Sequence, residues 1–462
     1  MEQIRIIHTN DVHSHLENWP KMRRFIQERQ QTKIEESVVT VDLGDYSDRW
    51  HPLTESTNGQ GNVLLMNQAN YDYATIGNNE GTGNSKEELD HLYDEANFDV
   101  LLANLFDATT LQCPKWAKPY GIHITEHGTK IGFIALTAYF PLTYQPNGWD
   151  IRAWQEILPQ LAIDLKKEVD VLVLLSHLGI EDDFRIAEEI PSIDVIIGSH
   201  THHLFVDGKK VNGTLIAAAG KFGQYVGEIV LTMDDSRIIT DKKAYTFATE
   251  EMIAYPEDQA EIESYLIEGE NRLKALEVTS LEEDLPIYVP NERSLASETL
   301  NAMKVRGKTT AAIINTGLFL NPLVKGRINQ NDLHQILPHP MHLIRVTLKG
   351  VDFIRFVLEV EKNRGFLRRF PIVGMGFRGK IFGEIVYSGF TYDKTNAQVL
   401  WLGEGIDPNR EYTFTTVDHW MFIPFFPTIE IAGEIDFLFP EFIRTVLGTY
   451  LKNQSEPKIS EW

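Results

Sequence analysis

Asp11 and His13 stand two residues apart, as do His200 and His202, and between the two pairs the chain carries Asp45, Asn78 and His177. Imidazole and carboxylate together suit divalent cations such as Mn, Zn, Fe or Co, and a carboxylate can bridge two ions. Two-residue spacing puts both members of a pair on one side of an extended chain, so each pair can address one site. Asp45, alone between the pairs, is the candidate bridge. A single histidine of this kind is usually a hydrogen-bonded structural residue, and a single aspartate after a strand is usually a turn or helix cap. The set is different, because donor type, paired spacing and position along the chain coincide. The chemistry it predicts is hydrolysis assisted by two divalent metal ions, which acidify water and stabilise developing negative charge.

The elements that must position these residues follow from hydrophobic patterning. Short β-branched or apolar runs at Ile4 to Ile7, Val38 to Leu43, Tyr73 to Ile76, Val100 to Leu102, Ile131 to Leu136, Val169 to Leu175 and Val195 to Ile197 alternate with helical patterns. That alternation predicts an α/β domain. Asp11 and His13 follow the first run, Asp45 the second, Asn78 the third, and His177 and then His200 with His202 follow the last two. Ligands of open α/β sheets lie beyond the carboxyl ends of strands, so residues far apart in sequence are expected to meet there.

In order, Asn10-Asp11-Val12-His13, Gly44-Asp45, Gly77-Asn78-Asn79-Glu80, Ser176-His177-Leu178-Gly179 and Gly198-Ser199-His200-Thr201-His202 resemble the motif series of the 5'-nucleotidase family of calcineurin-like metallophosphoesterases. The resemblance implies a four-layer α/β/β/α domain followed by an α+β C-terminal domain. It implies that Asp11, His13, Asp45 and His202 hold one metal while Asp45, Asn78, His177 and His200 hold the other, and that a metal-bridging hydroxide attacks phosphorus in line. The departure from the family lies at Asn79 and Thr82, where it normally places a His/Asp dyad that contacts the phosphate and assists the leaving group. An asparagine at that catalytic position cannot supply a proton, and loss of a general acid costs ~10² to 10⁴ in rate, less when the leaving group is already good. Diesters with good leaving groups and pyrophosphate bonds are therefore more natural substrates than an alkyl monoester such as AMP. His15 and His203 flank ligand positions and read as surface residues or as supports behind the ligands.

Beyond residue 250 the pattern changes. Residues 251–280 carry Ile262, Tyr265, Leu266 and Leu273 at helical spacing and predict a linker helix between a domain over 1–250 and a second over 281–462. The second domain resembles the family's substrate domain in Gly326-Arg327-Ile328, in Asp332 through Pro338 and in Val346 through Gly350. The family's clamping arginine is absent from Asn315-Thr316-Gly317-Leu318-Phe319-Leu320, and the loop that follows one of its two base-stacking aromatics is replaced near Ile423 to Pro427. Phe382 and Trp420 fall near the two stacking positions and are the candidate substrate-binding rings, an aromatic-rich stretch of this kind being more often core.

Composition sets the outer limits. The chain has 462 residues, more than one core usually organises, with 43% hydrophobic and 24% charged residues. A net charge of -23 and the lack of a basic stripe exclude a nucleic-acid duplex as partner, whereas a small phosphorylated substrate, including a nucleotide, can be held where metals reverse the local potential. No apolar run is long enough for a membrane span. The start, MEQIRIIHTND, runs straight into a strand pattern, and Cys113 is the sole cysteine; both predict a cytoplasmic protein. A second reading from another class is a sensor that keeps the metals and binds a phosphorylated ligand without turnover, the reading that Asn79, Thr82 and Leu320 favour.

Overall fold

The computed structural model describes residues 2–31, 36–374 and 376–455. The chain forms two compact units that divide between Gly269 and Glu270.

In the first unit each apolar run becomes a strand, and the strands form two six-stranded sheets. One has the order Ile239–Ala248, Tyr225–Met233, Glu2–Thr9, Glu36–Asp42, Tyr73–Ala74, Asp99–Val100; the other has Lys209–Val211, Thr214–Ala217, Val195–Gly198, Val171–His177, Lys130–Thr137, Tyr120–Ile124. Glu2–Thr9 through Asp99–Val100 run parallel, as do the four strands from Thr214–Ala217 to Lys130–Thr137. Parallel strands need crossover connections, and most of these are the helices expected between the runs.

Side-chain alternation explains the layers. Ile4 and Ile6 of the first strand, Val39 and Val41 of its neighbour, and Phe133, Val173 and Ile197 of the other sheet join in one buried cluster. The sheets therefore pack face to face. Their outer faces are covered separately: Ile7 packs with Trp19, Met22 and Ile26 of the helix Trp19–Gln31. Leu172 and Leu174 pack with Leu158 and Ala162 of the helix Trp154–Lys166 and with Ile186 of the helix Ile180–Glu189. Strands buried on both faces read as continuous apolar runs, which is why VLVLL at 171–175 shows no alternation. The result is the four-layer α/β/β/α domain.

The expected linker 251–280 is shorter than its pattern. The helix covers Pro256–Lys274, and Glu277–Leu281 is a strand paired antiparallel with Gly326–Asn329. Its first turns are tied to the first unit by two-pronged ion pairs, Arg24 with Asp258 at 2.5 and 2.8 Å and Arg23 with Glu261 at 2.5 and 2.9 Å. Leu266, one of the residues that suggested an apolar stripe, is 41% exposed.

The second unit has a five-stranded sheet in the order Ile385–Ser388, Ala311–Asn315, Glu411–Val417, His342–Lys349, Glu434–Phe442, with helices Leu295–Gly307, Gly350–Leu367 and Ile443–Ser455. Gly350 opens its helix because a Cβ there would lie 2.0 Å from the Asp407 carbonyl oxygen. Phe382 and Trp420, the candidate stacking rings, are both 0% exposed. Asn315 accepts from Trp420 Nε1 at 3.1 Å and donates to the Phe382 carbonyl at 2.9 Å, while Phe426 stacks on Trp420 with centroids 4.4 Å apart and planes at 14°. The substrate-binding expectation for this pair is corrected: the rings are core, and the stacking face of Trp420 is occupied by the chain's own Phe426.

One buried carboxyl in the first unit gives a measurable pH dependence. Asp183 is 1% exposed; its Oδ1 accepts from Ser176 Oγ at 2.5 Å and its Oδ2 has no partner. Burial pushes this carboxyl up to about 8. The unfolded chain ionises near the ordinary value while the folded chain resists ionisation, so folding is penalised increasingly as pH rises from about 4 to about 8. Asp183→Asn cannot ionise. Its melting temperature relative to the parent is expected to be several degrees higher at pH 9 than at pH 5; a difference that does not vary with pH in thermal denaturation would contradict the burial argument.

Candidate metal centre

The exits of the parallel strands bring the candidate residues together. Asp11, His13 and His202 form one group and Asp45, His177 and His200 a second, with donor atoms in each group within 4.8 Å of one another. Asn78, the first residue of the helix Asn78–Gly83, lies between Gly77 and Asn79, both of which approach Asp45, and its Oδ1 is buried without a hydrogen-bond partner. His177 is the last residue of its strand rather than part of the loop beyond it.

Five of these residues, Asp11, His13, Asp45, His200 and His202, have left-handed backbone with φ between 50° and 71°. Such a conformation is uncommon outside glycine and costs ~1 to 3 kcal/mol where the surroundings impose it. The surroundings here are a short backbone ladder between two loops. Asp11 N donates to Gly44 O at 3.1 Å, His13 N to Asp45 O at 2.7 Å and Ser14 N to Tyr46 O at 2.9 Å. Gly44, at φ 85°, allows the exits to approach, since a Cβ would sit 2.2 Å from Gly77 N.

The side chains are aimed by fixed partners. Asp11 accepts from Asn10 Nδ2 at 2.8 Å, Ser199 Oγ at 2.7 Å and His200 N at 3.2 Å. His177 Nδ1 donates to Leu43 O at 2.7 Å, which fixes the tautomer and leaves Nε2 buried, without a hydrogen-bond partner, 3.4 Å from Asp45 Oδ2. His13 Nε2 lies 3.1 Å from His202 Nε2 and 3.6 Å from Asp45 Oδ2, and its Nδ1 lies 3.4 Å from Asp48 Oδ2. Two imidazole nitrogens face each other, and two buried donor atoms, His177 Nε2 and Asn78 Oδ1, lack partners. A divalent cation would satisfy all of them, so the donor set fits a pair of metals.

Electrostatics agree. Burial alone would raise the Asp45 carboxyl, but the charges of His177 and His13 outweigh it and hold Asp45 well below the carboxylate range. Burial likewise opposes protonation of His177, and Asp45 outweighs it, so this imidazole is pushed up to about 10. His200 moves the other way, to about 4, because burial is reinforced by the neighbouring His177 charge. The carboxylates favour positive charge at this point, which is the electrostatic environment a cation site needs.

Asn79 is built into the same shell. Its N–H donates to Asp45 Oδ1 at 2.7 Å, and its amide nitrogen lies 2.9 Å from His13 Nδ1 and 3.3 Å from Ser47 O. Thr82 Oγ1 turns back to the carbonyl of Asn78 at 2.9 Å. The amide is spent on protein partners, and the side chain at 82 on its own helix.

Several participants carried no role in the sequence reading. Glu80 is 2% exposed and accepts from Asp45 N, Ser47 N, Ser47 Oγ and Gly77 N at 2.8 to 2.9 Å. Its place in the Gly77 to Glu80 motif was visible, but its bonds cross to another loop. Asp48 orients His13, and nothing in its spacing from Asp45 signals that, because the intervening turn decides where it points.

Residues 4–204 match the calcineurin-like phosphoesterase family model. The metallophosphoesterase YunD of Bacillus subtilis, itself uncharacterized, is 36% identical over 97% of this chain and 98% of its own length. A probable 5'-nucleotidase of Treponema pallidum is 24% identical over 81% of this chain and 78% of its own. Among solved structures, the NAD nucleotidase of Haemophilus influenzae shares the fold with a TM-score of 0.64 at 18% identity, covering 98% of this chain and 96% of that one. The chain belongs to the calcineurin-like metallophosphoesterase family and has the two-domain fold of the solved nucleotidase. It is a metal-dependent phosphoric ester hydrolase whose cofactors are two divalent metal ions. Among the described residues no helix is long and apolar enough to cross a membrane.

Gly77 gives a sharp test of the site's tolerance. A Cβ there would lie 2.0 Å from Asp45 Oδ1 and 2.5 Å from His177 Cε1. Gly77→Ala is expected to weaken metal affinity by ~10 to 100-fold, as displaced metal-shell partners do. Metal content after gel filtration reads this directly, and full retention would show that the loops relax around the methyl group.

Proposed function

We propose that Asp11, His13, Asp45 and His202 hold one ion and Asp45, Asn78, His177 and His200 the other, and that the enzyme hydrolyses small phosphodiesters or phosphoanhydrides, nucleotide derivatives among them. The two donor groups, the pairless atoms of His177 and Asn78, and the position of Asp45 against histidines of both groups support the assignment. When bound, the ions supply charge stabilisation for phosphoryl oxygens and a more acidic water. The chain's own residues aim the donors: Leu43 O and Asp48 orient two imidazoles, and Asn10, Ser199 and the His200 N–H orient Asp11.

The observation that carries the substrate class is Asn79. A carboxamide bound to Ser47 O and beside His13 Nδ1 holds no proton to give a leaving oxygen. The leaving group must therefore depart as a stable anion, which diesters of acidic alcohols and pyrophosphate bonds allow and alkyl monoesters do not.

The test is to strip the protein of metal, restore Mn, Co, Zn or Mg singly, and follow bis(p-nitrophenyl) phosphate, tripolyphosphate and AMP. Turnover is expected to require metal and to vanish in Asp45→Ala, and Asn79→His is expected to raise AMP hydrolysis by ~10-fold or more as proton donation returns. Retained metal with no Asp45-dependent turnover on any of these substrates would overturn the proposed substrate class and favour binding of a phosphorylated ligand without turnover.

A further inference from the structure

Two parallel strand exits on the metal-centre edge carry no candidate ligand. Lys130–Thr137 runs parallel to Val171–His177 and leads into Tyr139 and Phe140; Thr214–Ala217 runs parallel to Val195–Gly198 and leads to Phe222. These exits deliver aromatic rings to the ligand histidines. Phe140 lies 5.6 Å, between centroids, from the His200 ring, and Phe222 lies 5.8 Å from His13 and 6.3 Å from His202.

Phe140 is open to solvent and Phe222 is half-buried. Tyr139 is 49% and Phe140 39% exposed. Phe222 adopts φ 60°, which a bulky side chain avoids, and is held there by its N–H donating to Asp11 O at 2.7 Å. Its ring lies 3.9 Å from that of His15, with the planes tilted by 32°, His15 in turn lies 5.1 Å from Trp50, and the Lys221 ammonium lies 4.6 Å from the Phe222 centroid. Backbone strain that presents an aromatic surface and a cation beside a catalytic centre is characteristic of a recognition element. In the second unit Phe382 and Trp420 are fully buried.

We infer that Phe140 and Phe222 form the ring-recognition rim of this enzyme, taking the planar leaving group of an aryl or heteroaryl phosphodiester directly beside the metal centre. The inference rests on the proposed hydrolysis, and its chemistry agrees with Asn79. Water oxygen bonds to phosphorus, the bond from phosphorus to the aryl oxygen breaks, and the electron pair leaves on an aryloxide that needs no proton because the ring delocalises its charge. The water's protons pass to solvent.

The experiment compares kcat/KM for bis(p-nitrophenyl) phosphate with that for tripolyphosphate, which has a good leaving group and no ring, in metal-loaded parent, Phe140→Leu and Phe222→Gly, with metal content measured in each. Glycine accepts the left-handed backbone at 222, so that variant tests the ring rather than the strain. The ratio of aryl to ringless efficiency is expected to fall at least tenfold in each variant, through KM for the aryl diester. A ratio within twofold of the parent, or equal losses on both substrates, overturns the rim. A metal-loaded parent inactive on both substrates overturns the proposed diester and anhydride hydrolysis itself, so the two failures are distinguishable.

Discussion

The carboxylate of Glu80 is the tie on which the metal centre depends. Buried and saturated by backbone N–H groups from Asp45, Ser47 and Gly77 and by the Ser47 hydroxyl, it joins the exits of two neighbouring strands through one side chain. Burial and the nearby Asp45 charge raise its carboxyl, and those hydrogen bonds work against them. A hydrogen-bonded buried carboxylate of this kind is expensive to replace, since its loss leaves several donors unsatisfied at once. Everything that orients Asp45, including the ladder to His13 and the Asn79 N–H, is referenced to a loop that Glu80 holds.

Left-handed backbone at five candidate ligands follows from the same geometry. A loop that must turn back on the end of its strand and present donors to a shared point has few conformations available, and regular extended backbone is not one of them. The ladder from Asp11, His13 and Ser14 to residues 44–46 offsets the strain. Stability is thereby exchanged for a fixed constellation, which is how preorganised centres avoid reorganisation during reaction.

Much of this was legible in the residues. Apolar runs located the parallel strands because strands buried on both faces have no polar positions, and the donors stood out because they follow those runs. What the sequence did not disclose depends on contacts between distant segments. Asp48 reaches His13 only because a turn folds back. The helical pattern over 251–280 continued past Lys274 because EVTSL at 277–281, read alone, supports either structure until it pairs with Gly326–Asn329. Trp420 and Phe382 occupied the right places along the chain, but position could not reveal that Asn315 and Phe426 draw them inward.

Asp45 has a further effect through His177, whose imidazole it pushes up to about 10. Metal ligands must shed their protons to bind, so an imidazole that Asp45 holds above its ordinary range has to release one before a cation can take its place. Metal uptake by this centre is thereby coupled to pH.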